Sequence, residues 1–281
     1  MQIPWWAKLG AKLVLARLPF GYAMWQRLGI FRHGSMDSSD YAIGVFSTHV
    51  DRVGLTGRLH GKLIMELGPG DSVATAVIAA ANGARAVLVD SGSYIRKDVA
   101  PYLALVKALK HRGMTPPDLA DCRDIDEVLA RCDARYLTDG LESLGQIEGR
   151  SVDMIFSHAV LEHIRRHDFL ETMKQCRRIL GSDGIGSHRV DFRDHLGGGL
   201  NNLRFSERTW ESRIFARSGF YTNRIQYGRM LELFRQAGFE AEVLDVNHWA
   251  ALPVPRGRLA AEFRNLTEDD LCVSGCDVVL R

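Results

Sequence analysis

The sequence predicts an open α/β fold, a largely parallel sheet flanked by helices, with a helical stretch ahead of it. Three observations carry that expectation. Residues 62–90 run as apolar strand, glycine turn, Ala-rich helix and β-branched strand, the pattern of a βαβ unit. The same alternation continues to about residue 280. The 281 residues are 46% hydrophobic and 25% charged, near the globular average of ~45–50% and ~25%. That balance argues against wholesale disorder, collagen-like repeats and coiled coil.

Each element has its own signal. Residues 1–60 read as helical with a break: Trp5, Leu9, Leu13 and Ala16 share one helical face, Lys8 and Lys12 lie toward the other, and Pro19 and Gly21 interrupt the pattern. A helix restarts over 37–53, with Asp37, Ser38, Ser39 or Asp40 as cap and Tyr41, Val45, Phe46 and Val50 as apolar positions. KLIMELGPG (62–70) is a first strand ending in a turn. Residues 72–83 form a helix closed by Asn82-Gly83, and 84–90 a second strand. Helices follow at 98–112 and 123–132, around Pro116-Pro117. Residues 133–140 and 151–159 are strands three and four, 168–180 is an amphipathic helix, and 184–192 is strand five. The segment 193–205, with Gly197-Gly198-Gly199, reads as a loop. Helices at 206–217 and 227–237 and strands at 239–249 and 271–280 complete the series. No internal repeat occurs. Residues 61–281 are therefore expected to be one domain, and residues 1–60 an N-terminal helical extension or lid.

The charge is nearly balanced, 36 basic against 34 acidic side chains, without the clustered basic face that nucleic acid requires. Five cysteines without a C-x-x-C pair make a disulfide framework and a structural zinc site poor expectations, and suit a reducing compartment. The sequence shows no signal peptide and no apolar run of the ~20 residues that a spanning helix needs. A cytoplasmic protein is expected. The N-terminal helix either packs on the main domain or lies on the inner membrane face, through its tryptophans and basic flank.

The chemistry concentrates at Glu66-Leu67-Gly68-Pro69-Gly70-Asp71-Ser72, between a strand and a helix. Ligands bind open sheets at the carboxyl ends of such strands, and glycine lets the backbone approach them closely. A nicotinamide fingerprint would place its third glycine at position 73, which is Val73, so a dinucleotide site is disfavoured. A carboxylate such as Glu66 at the end of a buried strand is costly without a partner, and a cationic ligand group would supply one. Asp90, ending the second strand, can accept hydrogen bonds from both hydroxyls of a ribose. Asp139, ending the third, can meet an adenine amino group.

Together I-M-E-L-G-P-G-D, Asp90 after V-L-V, Asp139-Gly140 and V-D-M-I-F-S-H-A-V-L-E-H-I resemble class I S-adenosylmethionine-dependent methyltransferases, of the type 11 and 12 small-molecule subgroup, over residues 60–280. The resemblance implies a Rossmann-like seven-stranded sheet of order 3-2-1-4-5-7-6, the last strand antiparallel. It implies that Glu66, Gly68, Pro69 and Gly70 line the methionine and ribose portion of S-adenosylmethionine. Asp90 would bind the ribose, Asp139 and Gly140 the adenine, and Ser157 and His158 would lie near the sulfonium. Some relatives hold magnesium with the Glu162-His163 pair and a further Glu three residues earlier. Here that position is Ala159, with Asp191, Asp194 and His195 as substitutes, so a divalent metal is not favoured.

Methyl transfer to a hydroxyl needs in-line placement and removal of a proton, for which imidazole is the natural base near neutral pH. His163 is the expected base, assisted by His188 or Asp191. The polar segment 187–205 and Tyr221-Thr222-Asn223-Arg224 suit a hydroxyl-rich or anionic acceptor. They also resemble methyltransferases of surface-polysaccharide biosynthesis, as does H-G-S-M-D-S-S-D-Y-A at 33–42. The expected function is O-methylation of a glycan or other small polar molecule, the glycan lipid-linked if the N-terminal helix meets a membrane. The alternatives are a nucleic-acid methyltransferase, for which Arg165-Arg166 and Arg177-Arg178 are too few, and a non-catalytic S-adenosylmethionine binder.

Overall fold

A computed structural model of the chain describes residues 4–15, 36 and 38–281. The break at Pro19 and Gly21, and part of the 33–42 motif, lie outside the described residues. The architecture is a single seven-stranded sheet: β1 Leu63–Leu67, β2 Arg85–Val89, β3 Ala134–Leu137, β4 Val152–His158, β5 Leu180–Asp191, β6 Ala241–His248 and β7 Val273–Leu280. Its order is β3-β2-β1-β4-β5-β7-β6. The strands from β3 to β5 pair in parallel, and β7 runs antiparallel to both of its neighbours. The expected order and the antiparallel last strand are both present.

Side chains of a strand alternate between faces, and both faces of this sheet are covered, which is why its central strands read as apolar runs. On one face Ile64, Leu88, Met154 and Phe156 pack under helices Ser39–Arg52, Ala74–Ala81 and Ala100–His111. On the other, Met65, Ile155, Val190 and Val278 pack under helices Phe169–Ile179 and Tyr227–Gln236. The helix Ser39–Arg52 is integral to the first layer. It buries Ala42, Phe46 and Val50, sets Phe46 edge-on to Phe156, and pairs Arg52 with Asp277 of β7. The packed core thus extends upstream of residue 61.

Two departures from the sequence expectation have simple causes. β5 begins at Leu180, four residues earlier than read, because the register jumps from Val152↔Leu180 to Met154↔Ile185. Residues 181–184 bulge out of the ladder. A Cβ on Gly184 would meet the Val152 carbonyl oxygen at 2.9 Å, so the bulge needs glycine. Residues 206–217 form two short helices, Glu207–Trp210 and Arg213–Ala216, rather than one. Ser206 caps the first, and Trp210, fully buried, anchors a satellite cluster with Leu196, Phe220 and Tyr221.

The N-terminal helix Trp5–Leu15 docks on that satellite cluster through Trp5, Leu9 and Leu13. Arg204 lies 5.1 Å over the Trp5 ring, and Lys12 donates to the carbonyl of His195 at 3.1 Å. Trp6 and Val14, on its other side, are 63% and 61% exposed. No helix among the described residues is long and apolar enough to cross a membrane.

Candidate active site

The carboxyl ends of β1, β2 and β4 lie side by side, with Leu67 opposite both Val89 and Ser157. The turn after β1 is built on two left-handed glycines, Gly68 at φ 68° and Gly70 at φ 67°. Gly68 has a second constraint. A Cβ there would stand 2.5 Å from a methyl group of Val160, which follows β4. Pro69, between them, brings no N–H to the turn. Position 73, where a nicotinamide fingerprint wants glycine, is a fully buried core valine. Asp71 is buried and pairs with Arg96 at 2.8 Å, tying the loop after β2 to the turn.

Glu66 is 4% exposed, and its Oε2 has no hydrogen-bond partner among the described residues. Burial pushes its carboxyl up to about 8. The nearby Asp90 carboxylate adds to this and the Thr75 hydroxyl opposes it. Asp90 accepts from the N–H of Gly70 at 3.1 Å and of Ser91 at 2.7 Å. One carboxylate therefore fixes the glycine turn while facing the next loop. Gly140, at φ 54°, donates its N–H to the Asp90 carbonyl at 2.8 Å, and the Asp139 N–H is held by Ser143 Oγ at 2.9 Å. Glu66, Gly68, Gly70, Asp90, Asp139 and Gly140 are thus brought to one edge of the sheet. An orphaned buried carboxyl oxygen suits a cationic ligand group, and the left-handed turn leaves backbone bare, so these residues fit S-adenosylmethionine.

The histidines separate by strand parity. Ser157 and His188, directly opposite in the β4–β5 ladder, point to one face, with Ser157 Oγ 2.8 Å from His188 Nδ1. His188 is 1% exposed, and burial pushes it down to about 3. It is a neutral interior group, not the assistant beside His163 that was expected. His158 and Ser187 point to the opposite face. There His49, from the helix Ser39–Arg52, bridges them, Nδ1 at 2.8 Å from Ser187 Oγ and Nε2 at 3.2 Å from His158 Nδ1. Burial, then the charges of Arg189 and Arg52, push His158 down to about 4. The ring of Tyr41 meets His158 edge-on.

His163 closes the short 3₁₀ turn Leu161–His163 after β4 and is exposed. Its Nδ1 lies 3.0 Å from the carbonyl oxygen of Tyr221. A carbonyl only accepts, so Nδ1 carries the proton and Nε2 presents its lone pair. The Nε2 of His195 stands 3.2 Å from that lone pair, with the two rings stacked at 11°. The turn is held from below by Asn223. Its N–H donates to the Glu162 carbonyl at 2.7 Å, and its Nδ2 donates to those of Leu161 and Ile164 at 2.8 and 3.0 Å. Glu162 is 3% exposed; burial, reinforced by Asp191, pushes its carboxyl up to about 8.

Asp191 departs from its expected role. Burial alone would push it up, but Arg193 grips both its oxygens, at 2.8 and 2.7 Å, and holds it below its ordinary value. An ion-paired, weakly basic carboxylate does not take a proton from a hydroxyl. Asp194 is equally occupied. Its Oδ1 accepts from the N–H groups of Leu196, Gly197 and Gly198, and its Oδ2 from the N–H and Nδ2 of Asn201. The polarity of 193–205 is thus largely spent within the loop. Among the described residues no three His, Cys, Asp or Glu side chains are grouped to hold a metal ion. Sequence reasoning missed His49, and it named Asn223 and Asp194 without foreseeing the staple and the cradle they form. Only the cradle had a signal, an Asp followed by three glycines and two asparagines.

Residues 65–186 match the family model described as a methyltransferase domain. No curated protein matches the chain. Several solved structures are distantly similar. A Haemonchus contortus phosphoethanolamine N-methyltransferase 2, complexed with phosphomonomethylethanolamine and S-adenosylhomocysteine, is 15% identical at TM-score 0.45, over 83% of this chain and 51% of its own. An S-adenosylmethionine-dependent methyltransferase from Mesorhizobium loti is 16% identical at 0.43, over 79% and 92%. An arsenic(III) S-adenosylmethionine methyltransferase from Chlamydomonas reinhardtii is 14% identical at 0.42, over 79% and 64%. These likenesses are too distant to carry an acceptor to this chain. The matched stretch begins at Met65 in β1 and ends at Gly186 in β5.

Proposed function

We propose that this S-adenosylmethionine-dependent methyltransferase methylates a hydroxyl group of a glycan or other small polar molecule, with His163 as general base. The observation that carries the reading is the tautomer of His163. With Nδ1–H held by the Tyr221 carbonyl, Nε2 is a fixed acceptor at the exposed end of β4, beside the cofactor turn. A base is needed for a hydroxyl, whose proton must leave as the oxygen attacks, and superfluous for a thiolate or a neutral amine.

S-adenosylmethionine supplies an electrophilic methyl group on its sulfonium. The protein supports its side of the reaction with distinct groups. Glu66, Gly68, Pro69 and Gly70 would hold the amino-acid and ribose end, Asp90 the ribose hydroxyls, and Asp139 with Gly140 the adenine. His158, kept neutral, would border the sulfonium without repelling it. His163 Nε2, which accepts the His195 Nε2–H at 3.2 Å in this structure, would take the hydroxyl proton once the acceptor hydroxyl replaces that N–H. The helix Trp5–Leu15, seated on the loops after β5, and the helix Ser39–Arg52 are read as the cover of this mouth. The exposed Trp6 and Val14 leave the helix an apolar side that a lipid-linked acceptor would meet at the inner membrane face.

The test is transfer of a labelled methyl group to separated fractions of monosaccharides, oligosaccharides, lipid-linked glycans and RNA. Transfer to a carbohydrate hydroxyl is expected, and His163→Ala is expected to lower turnover by ~10²–10⁴-fold with S-adenosylhomocysteine affinity unchanged. Transfer only to RNA, or undiminished turnover in the variant, would overturn the reading.

A further inference from the structure

We propose that the segment 221–226 carries a second acceptor subsite, which binds an oxyanion group, carboxylate or phosphate, of a hydroxylated sugar. The proposal deepens the reading above and rests on it for the identity of the acceptor. It begins from Arg224, which is 3% exposed and sits in the left-handed region at φ 57°. Its guanidinium lies between the rings of Trp210, at 5.4 Å, and Phe263, at 5.0 Å. Nη1 donates to the carbonyls of Phe205 and Asn202 at 2.5 and 3.4 Å, but Nε and Nη2 find no partner among the described residues. Burial pushes the group down only to about 10, so it stays a cation at neutral pH. The carboxylates of Glu211, Glu262 and Glu207 act on this cation from a distance, but none meets Nε or Nη2 directly, and a non-glycine residue held at positive φ adds backbone strain. Folds tolerate both at places where a ligand completes the site.

Arg224 and Gln226 line a cavity of about 710 Å³, within the size range of small-molecule sites. Gln226 is 4% exposed, and its Oε1 also lacks a partner among the described residues. The unmet requirements along this wall are therefore an anion for the guanidinium and a hydroxyl donor for the amide oxygen. Arg166 adds a second guanidinium to the lining, its closest carboxylate oxygen being Glu207 at 3.8 Å. The carboxylates of the wall are mostly engaged. Glu232 pairs with Arg229 at 2.7 Å, Asp270 accepts the N–H of Gly228 at 2.6 Å, and Glu262 accepts that of Glu207 at 2.6 Å. Asp269 is exposed.

The same segment positions the base. Tyr221 offers its carbonyl to His163, its hydroxyl receives the Arg166 N–H at 3.3 Å, and Asn223 staples the Leu161–His163 turn. One stretch of six residues therefore sets the distance between an anion-seeking guanidinium and the nitrogen that would take the proton. A neutral polyol would leave Arg224 unpaired; an acidic sugar or a sugar phosphate would meet both demands.

Calorimetric titration of the full chain, saturated with S-adenosylhomocysteine, tests this with glucuronate, glucose 1-phosphate, inorganic phosphate and glucose as probes. At least one charged sugar is expected to bind about tenfold or more tighter than glucose, a difference on the scale of one charge-assisted hydrogen bond. Whichever of glucuronate and glucose 1-phosphate binds tighter identifies the oxyanion. Arg166→Ala, at a partly exposed position, is expected to weaken the charged sugar about tenfold while leaving S-adenosylhomocysteine binding intact. Gln226→Leu is expected to weaken the sugars but not inorganic phosphate. Equal binding of glucose and the charged sugars, binding of inorganic phosphate alone, or unchanged affinity in Arg166→Ala would overturn the proposal. The readout needs no turnover. His163→Ala should retain this binding while losing methyl transfer, so failure of the subsite and failure of the base are distinguishable.

Discussion

Glu66 holds its proton where an ordinary carboxylate would not. Its value moves from 4.5 to about 8 on folding, so below pH 4.5 both folded and unfolded chains carry the proton. Between there and pH 8 only the unfolded chain has lost it, and the contribution of Glu66 to stability falls as pH rises through that window. A cationic ligand group beside Oε2 reverses the preference. Titration with S-adenosylhomocysteine at pH 7, in two buffers of different ionisation enthalpy, should therefore show proton release by the native chain and none by Glu66→Gln. Identical release from both would remove Glu66 from the site. Asp90→Ala should weaken the same titration by roughly 1.5–3 kcal/mol for each ribose hydrogen bond lost. Equal affinity would exclude Asp90 from ribose binding. Both acids were legible in the sequence, because a carboxylate ending an apolar strand is an anomaly wherever the strand lies. The histidines were not. His158 and His188 look equivalent as letters, but the parity of paired strands sends one toward His49 and the other into the opposite layer. His49 is 109 residues from its partner, and no local pattern announces it.

At the scale of the element, the glycine turn is a contact as well as a bend. Gly68→Ala would place a methyl group against Val160 in a backbone region that costs an L-residue about 1–2 kcal/mol. It should lower both stability and cofactor affinity. Gly68→Ala with Val160→Ala should recover the part due to the clash and leave the part due to φ; chemical denaturation of the two variants separates them. No recovery would mean that Val160 does not press on the turn. The loop after β5 makes a different forecast. Asp194→Ala removes the acceptor of four backbone N–H groups at once, and should cost about 2–4 kcal/mol and speed amide exchange at Gly197, Gly198 and Asn201. Unaltered exchange there would show the cradle to be dispensable. Sequence patterning found the strands and long helices because hydrophobic period reports burial directly. It overextended the helix at 206–217, where Ser212 and the burial of Trp210 divide the segment in two.

At the scale of the whole molecule, the sheet order was legible only through the family resemblance. The helices Trp5–Leu15 and Ser39–Arg52 were legible as apolar faces in need of a partner, but not the partner itself, since packing between distant segments leaves no local trace. Truncations distinguish their parts. A chain starting at Gly61 loses the helix Ser39–Arg52 and with it Ala42, Phe46, Val50 and the Arg52–Asp277 pair, and should fail to fold by circular dichroism. A chain starting at Met36 keeps that layer, and should bind S-adenosylhomocysteine normally but turn over its acceptor slowly, having lost Trp5, Leu9 and Leu13 from the satellite cluster. Full turnover in the chain starting at Met36 would make the first helix dispensable as a cover.

The position of β7 between β5 and β6 governs the order in which the protein can be assembled on the ribosome. β6 is synthesised first but pairs only with β7, so it emerges as an orphan strand. Until β7 follows, β5 presents the unpaired flank of an otherwise finished half-sheet, the kind of surface on which nascent chains associate. The risk falls within a short interval, the time needed to translate residues 249–280. Anything that slows elongation there, such as a run of rare codons, should lower the yield of folded enzyme without changing a single amino acid.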